Sequence, residues 1–244
     1  MLNKYNWYNK IKDKRIVLLQ SGGLDSNIVA ALLSYYHFSI QHLFIDYGQN
    51  MLEQERKNAR LIVKHYGGKL TETKIDLPWL KEATNLVDNV VNDEGAIGKF
   101  NTYDVGTYVP LRNHVLLSIA GSLAEAYKIP NIACAFDGCQ NILGKPTGGT
   151  TDKHPKFIHR IEQSINEGSA MYHIEHKPIQ ILTPIMNFYK TDTIQLGLEL
   201  NADMSISWSC YNKGDKPCGH CSACEDREEA FRVLGIDDPA LSEK

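Results

Sequence analysis

Short apolar runs in this 244-residue chain alternate with stretches of helical periodicity, and that alternation leaves few architectures open. "RIVLLQ" (15–20) is a strand and "IVAALLSYY" (28–36) a helix. "IQHLFIDYG" (40–48) is a second strand, "LEQERKNARLIVKHY" (52–66) an amphipathic helix, and "LTETKIDL" (70–77) alternates as a strand does. Further on, "NHVLLSIAGSLAEAYK" (113–128) is the strongest helical pattern, and "IACAF" (132–136) returns as a strand. This order predicts an α/β fold, a parallel sheet with helices on both faces. Ligands of such sheets bind beyond the carboxyl ends of the strands. Residues 20–26, 46–50 and 137–152 all fall there.

The Gly- and Thr-rich segment 138–156 is too long for a simple connection and is expected to be an inserted substrate loop. After it, Phe157, Ile161 and Ile165 recur at helical spacing, as a core face does. Two units are expected: an α/β nucleotide-binding domain over 1–204 and a cysteine-rich appendage over 205–244. No apolar run approaches the roughly 18 residues of a membrane span. The N-terminal stretch has no apolar segment of secretory type, so the expected location is the cytoplasm. A net charge of −3 argues against broad nucleic-acid binding.

Between the first strand and the first helix stands "LQSGGLDSN" (19–27). A strand running through Gly-Gly into a helix exposes backbone N–H groups at a helix N-terminus, and these and the helix dipole attract phosphate. Gly22 and Gly23 permit a sharp turn and close approach. Ser21 and Ser26 add hydroxyl donors. No lysine follows the glycines, so this is not the Walker-type loop. Asp25 among phosphate donors is repulsive unless a magnesium ion or a hydrogen bond balances it.

Near the end of the chain, Cys210, Cys218, Cys221 and Cys224 follow a C-x7-C-x2-C-x2-C pattern. Four thiolates so spaced close a tetrahedral Zn²⁺ site with no open position, which is the signature of a structural zinc. His220 lies between two of them and is a weaker candidate ligand. Cys134, in a strand, reads as a small core hydrophobe, and Cys139 shows nothing that would activate it.

"SGGLDS" resembles the PP-loop of the ATP pyrophosphatases, which adenylate a carboxylate or carbonyl and let a nucleophile displace AMP. Together with "DYGQ" (46–49), "YVPLRN" (108–113) and "SWSCYNKGDKPCGHCSACEDREEAF" (207–231), it resembles the 7-cyano-7-deazaguanine synthase family, from about Arg15 to Phe231. The resemblance implies a Rossmann-like fold of the adenine nucleotide α-hydrolase type carrying a C-terminal zinc knuckle, and a homodimer. It implies ATP with Mg²⁺, and conversion of 7-carboxy-7-deazaguanine to an amide and then a nitrile, with ammonia as the nitrogen source. Ser21, Gly22, Gly23, Leu24, Asp25 and Ser26 would then hold ATP, with Asp46, Tyr47, Gly48, Gln49, Arg112 and Asn113 beside it. Asp25, Arg112 and Lys190 would carry the catalytic charge.

Departures from the family pattern stand beside these matches. Its Tyr-Val-Pro-Gly-Arg-Asn has Leu111 here in place of glycine. Its Tyr-Pro-Asp-Cys-Arg-Pro-x-Phe becomes "TTDKHPKF" (150–157), which keeps Asp152, Pro155 and Phe157. Asp152 and Phe157 are the expected substrate residues, since a carboxylate can accept from both donors of a guanine edge. Lys153 and His154 replace residues next to the reacting end. A second reading therefore uses a protein amine as acceptor, as in synthase-like relatives of anti-phage operons. A PP-loop enzyme acting on tRNA and a non-catalytic zinc-knuckle binding module are the remaining alternatives. The acidic net charge and the lack of a spare Cys-x-x-Cys count against the first. The complete Ser-Gly-Gly-Leu-Asp-Ser loop counts against the second.

Overall fold

The computed structural model describes residues 1–84, 86–87, 109–137, 151–212 and 214–241. Five strands form one sheet: β1 (Arg15–Leu19), β2 (Ser39–Asp46), β3 (Lys69–Lys74), β4 (Asn131–Ala133) and β5 (Gln180–Leu182). Their order is β3-β2-β1-β4-β5 and every pair is parallel. The helices are α1 (Leu24–Tyr35), α2 (Leu52–Tyr66), α3 (Leu80–Ala83), α4 (Arg112–Ala126), α5 (Pro155–Glu167), α6 (Ala170–Glu175), α7 (Lys190–Glu199) and α8 (Ser222–Val233). Among the described residues no helix is long and apolar enough to cross a membrane.

β1 shows why helices cover both faces. Its side chains alternate, so Ile16 and Leu18 enter one core while Val17 enters the other. The first core holds α1 residues such as Ile28 and Leu32, Ile62 of α2, Ile194 of α7 and Phe231 of α8. The second holds Leu117 and Ala120 of α4, Ile158 and Ile161 of α5 and Met171 of α6. At one edge, β3 carries the charged sequence Lys-Leu-Thr-Glu-Thr-Lys, which discourages further strand pairing.

Among the elements outside the sequence-based expectations are β5 and the N-terminal 3-10 helix. β5 has three residues, too few for any period to register, and it is held by β4 alone. The N-terminal 3-10 helix Leu2–Lys10 looks polar, yet Tyr5 and Tyr8 are buried in the first core beside Tyr36 and Phe38. Most of the 138–156 loop lies outside the described residues, as does Cys139. At its end, Thr151–Lys153 form a 3-10 turn leading into α5.

The cysteine-rich tail shares the core of the sheet through Ala230 and Phe231. It is also fastened by a buried ion pair. Arg227 donates to both carboxylate oxygens of Asp238, at 2.6 and 2.9 Å, to Ser207 and Ser209 Oγ, and to the Met204 carbonyl. Removing one member of such a pair strands a buried charge. Arg227→Met is expected to lower the unfolding free energy in urea by about 3–5 kcal/mol. Adding Asp238→Leu to that variant is expected to recover much of the loss.

Candidate active site

A cavity of about 330 Å³ lies where β1, β2 and β4 end. The strand order reverses direction between β1 and β4, and that crevice is where open α/β sheets bind ligands.

Its floor is the Ser-Gly-Gly turn. Ser21 Oγ accepts the Gly23 N–H at 3.2 Å and lies 3.2 Å from Ser26 Oγ, which donates to the Gly23 carbonyl at 3.0 Å. The hydroxyls thus order the loop, and α1 starts at Leu24 with its first N–H groups lacking intrahelical partners. Gly22 takes φ +78°, and a Cβ there would stand 2.2 Å from the Glu55 carbonyl oxygen. The glycine is therefore required by the approach of α2.

One wall is a chain of alternating charge. Lys190, the first residue of α7, places Nζ 2.7 Å from each Asp25 oxygen and 3.3 Å from Asp137 Oδ2. Lys153 Nζ is 2.7 Å from Asp137 Oδ1. Burial alone would raise the Asp137 pKa, but Lys190 and Lys153 hold this carboxyl well below the usual range. Burial disfavours charge on Lys190 too, and Asp25 and Asp137 outweigh it and hold the ammonium above its ordinary value. Asp25 is thus balanced by a lysine.

The opposite wall comes from β2, α2 and α4. Arg112, the first residue of α4, directs Nη1 at the Tyr47 hydroxyl at 3.4 Å. Gln49 accepts the Tyr47 N–H at 2.9 Å and donates to the Ile45 carbonyl at 3.2 Å and to Glu55 Oε2 at 3.1 Å. Burial pushes the Glu55 carboxyl up to about 7, against the opposing hydrogen bond from Gln49 and the charge of Arg112. Asp46 is turned inward, accepting from the Gly48 N–H at 3.0 Å and from Arg56 at 3.1 Å.

The cavity therefore brings together Ser21, Gly23, Leu24, Asp25, Ser26, Tyr47, Gln49, Arg112, Asn113 and Lys190. Gly22, Asp46 and Gly48 shape the adjoining turns and do not line it. Asp152 and Phe157 do not line it either. Asp152 is buried over the start of α4, where Oδ2 accepts the Asn113 N–H at 3.3 Å, and Phe157 packs near the His114 ring. Of the departures from the family pattern among the described residues, Lys153 alone enters the cavity. His154 caps α5 by accepting the Lys156 N–H, and Leu111 precedes α4 in the left-handed conformation, φ +49°.

Sequence reasoning missed Glu55, Asp137, Trp208, Tyr211 and Asp226. Asp137 directly follows the predicted strand 132–136, in a segment expected at the ligand end of the sheet, so its position was itself a signal. Glu55 is one of several acids on an amphipathic helix, and nothing local marks it as facing inward.

Trp208 and Tyr211 belong to the segment leading into the cysteine cluster. The Trp208 N–H donates to the Gly22 carbonyl at 2.9 Å, joining this segment to the phosphate-type turn. The ligand sulfurs of Cys210, Cys218, Cys221 and Cys224 lie within 4.8 Å of one another. The N–H groups of Asn212 and Cys218 each donate to Cys210 Sγ at 3.3 Å, and Asn212 Nδ2 donates to Cys218 Sγ at 3.2 Å. Such N–H···S bonds orient and stabilise thiolate ligands. His220 turns away, with Nδ1 2.8 Å from the Cys218 carbonyl. The set fits one Zn²⁺ with no open position.

A Ser-Gly-Gly turn at a helix N-terminus, facing two lysines and an arginine, defines a nucleotide-dependent α/β enzyme with a cysteine knuckle in its wall. Residues 15–235 match the family model described as queuosine biosynthesis protein QueC, and the chain belongs to that family. The chain is 34% identical to a 7-cyano-7-deazaguanine synthase of Methanoculleus marisnigri, over 95% of this chain and all of the relative. It is also 34% identical to the Methanospirillum hungatei protein of that name, over 92% of this chain and 98% of the relative. Among solved structures, NMN synthetase from Francisella tularensis superposes with a TM-score of 0.49 at 14% identity, covering 97% of this chain and 87% of that one.

Metal analysis is expected to find about one Zn²⁺ per chain, with chelation or Cys210→Ser lowering the melting temperature. A left-handed leucine costs about 1 kcal/mol relative to glycine. Leu111 is largely exposed, so Leu111→Gly is expected to raise urea stability by about that amount.

Proposed function

We propose that the chain adenylates 7-carboxy-7-deazaguanine with ATP and passes the acyl group to ammonia, giving the amide and, after a second activation, 7-cyano-7-deazaguanine. The observation that carries this reading is the convergence of the Ser-Gly-Gly turn, Arg112 and Lys190 on one cavity. Backbone donors and two fixed cations aimed at one site suit the charge that develops as pyrophosphate leaves. No side-chain nucleophile is needed, because activation comes from the nucleotide and rate from positioning.

Mg²⁺ enters this reading bound to the ATP phosphates. Asp25, the carboxylate nearest the phosphate cradle, has both oxygens on Lys190 and already has its counter-charge. Zn²⁺ in the knuckle would be structural, holding Trp208 and Tyr211 as part of the wall. Ammonia is the favoured acceptor over a protein amine, because Leu111 and His154 leave the cavity lining untouched and Lys153 is engaged by Asp137.

The test is mass spectrometry of products from purified protein with ATP, the deazaguanine acid and ¹⁵N-ammonium. A ¹⁵N-labelled nitrile with AMP and pyrophosphate is expected. Labelled amide alone would remove the second activation, and absence of acid-dependent pyrophosphate would remove the adenylation. Lys190→Met and Arg112→Met are each expected to slow acid-dependent pyrophosphate release by about 10²–10³-fold.

A further inference from the structure

Among the described residues, four carboxyl groups line the cavity: Asp25, Glu55, Asp137 and Asp226. Asp25 has both oxygens taken up by Lys190, and Asp137 is held between Lys190 and Lys153, whose charges lower its affinity for a proton. Asp226 is exposed at the rim. Glu55 differs from all three. It is half-buried and forms no ion pair among the described residues, and the one hydrogen bond its carboxyl accepts there is to Oε2, from Gln49. Gln49 is itself buried and tied to the Tyr47 N–H and the Ile45 carbonyl, so it fixes the carboxyl and leaves Oε1 open.

Acyl transfer to ammonia needs such a group. As the nitrogen attacks, it gains positive charge and remains a better leaving group than AMP until it loses a proton. We propose that Glu55 is the catalytic base of the nitrogen-transfer step. The C–N bond forms, the C–O bond to AMP breaks, and one nitrogen-bound proton passes to Glu55 Oε1. AMP departs with the bonding pair, so acyl-adenylate, ammonia and carboxylate become amide, AMP dianion and carboxylic acid. This assignment rests on the ligase reading above. Burial sets the carboxyl at about 7, where it can both take a proton and return it to solvent within one turnover. The charged and titratable groups around it are Arg112 and Tyr47, with Tyr211 acting on both.

The experiment separates the two half-reactions in wild type, Glu55→Gln and Glu55→Asp. Acid-dependent ATP–pyrophosphate exchange without ammonia reports adenylation, and ¹⁵N-amide formation at constant free ammonia reports nitrogen transfer. Glu55→Gln is expected to keep exchange within about threefold of wild type while slowing amide formation by about 10²-fold or more. It should also lose the acidic limb of the wild-type rate profile near neutral pH. Glu55→Asp, which keeps a carboxyl, should retain that limb at reduced rate, which a purely structural role would not produce. Equal loss of exchange and transfer, or a raised ATP KM with unchanged amide formation, would make Glu55 a nucleotide-binding group and overturn the proposal. Wild-type rates and profile in Glu55→Gln would overturn it as well. Absence of exchange in wild type would sink the ligase reading, and the base assignment with it.

Discussion

The molecule is assembled around the contact at Gly22. This residue has no Cβ, so the backbone of α2 can press against the turn that follows β1; a methyl group there would lie 2.2 Å from the Glu55 carbonyl. Its own carbonyl accepts the Trp208 N–H. One glycine thereby joins the first strand, the second helix and the knuckle segment. The turn, Glu55 and the aromatic wall of Trp208 and Tyr211 take their places from that junction.

Charge is arranged around the junction in two ways. On one side Asp25, Lys190, Asp137 and Lys153 alternate, so each lysine is held against a carboxylate, and Lys190 stays ionised in a partly desolvated site. Fixed cations of this kind need no reorganisation when negative charge builds on a leaving phosphate. On the other side Arg112 stands beside Tyr47 and Glu55, a cavity carboxyl whose proton affinity burial raises into the neutral range, with no lysine among the described residues to oppose it. The two walls thus separate a cationic function from a proton-accepting one.

The tail contributes to both stability and site. Its helix α8 fills part of the first core, and the buried Arg227–Asp238 pair ties it to Ser207, Ser209 and the Met204 carbonyl. Of the departures from the family pattern, Lys153 lines the cavity, while Leu111 and His154 do not. Leu111 adopts the left-handed geometry that glycine takes at little cost, and His154 serves as a helix cap.

What the sequence determined by itself was whatever depends on local order. Period and alternation place β1, β2, α1, α2 and α4, because those elements are long enough for a pattern to register. The Ser-Gly-Gly turn and the four cysteines are legible for the same reason, since their chemistry is set by spacing along a few residues. Tertiary structure decided which side chains face one another across distant elements. Asp46 and Asp152, read as ligand-facing, spend their carboxylates on backbone N–H groups, Asp46 also on Arg56. Glu55 and Asp137, unremarkable in the chain, become part of the ionisable lining of the cavity. Burial and pairing are properties of the folded neighbourhood, and a carboxylate carries no local mark of whether it will meet a lysine, a helix end or an open cavity.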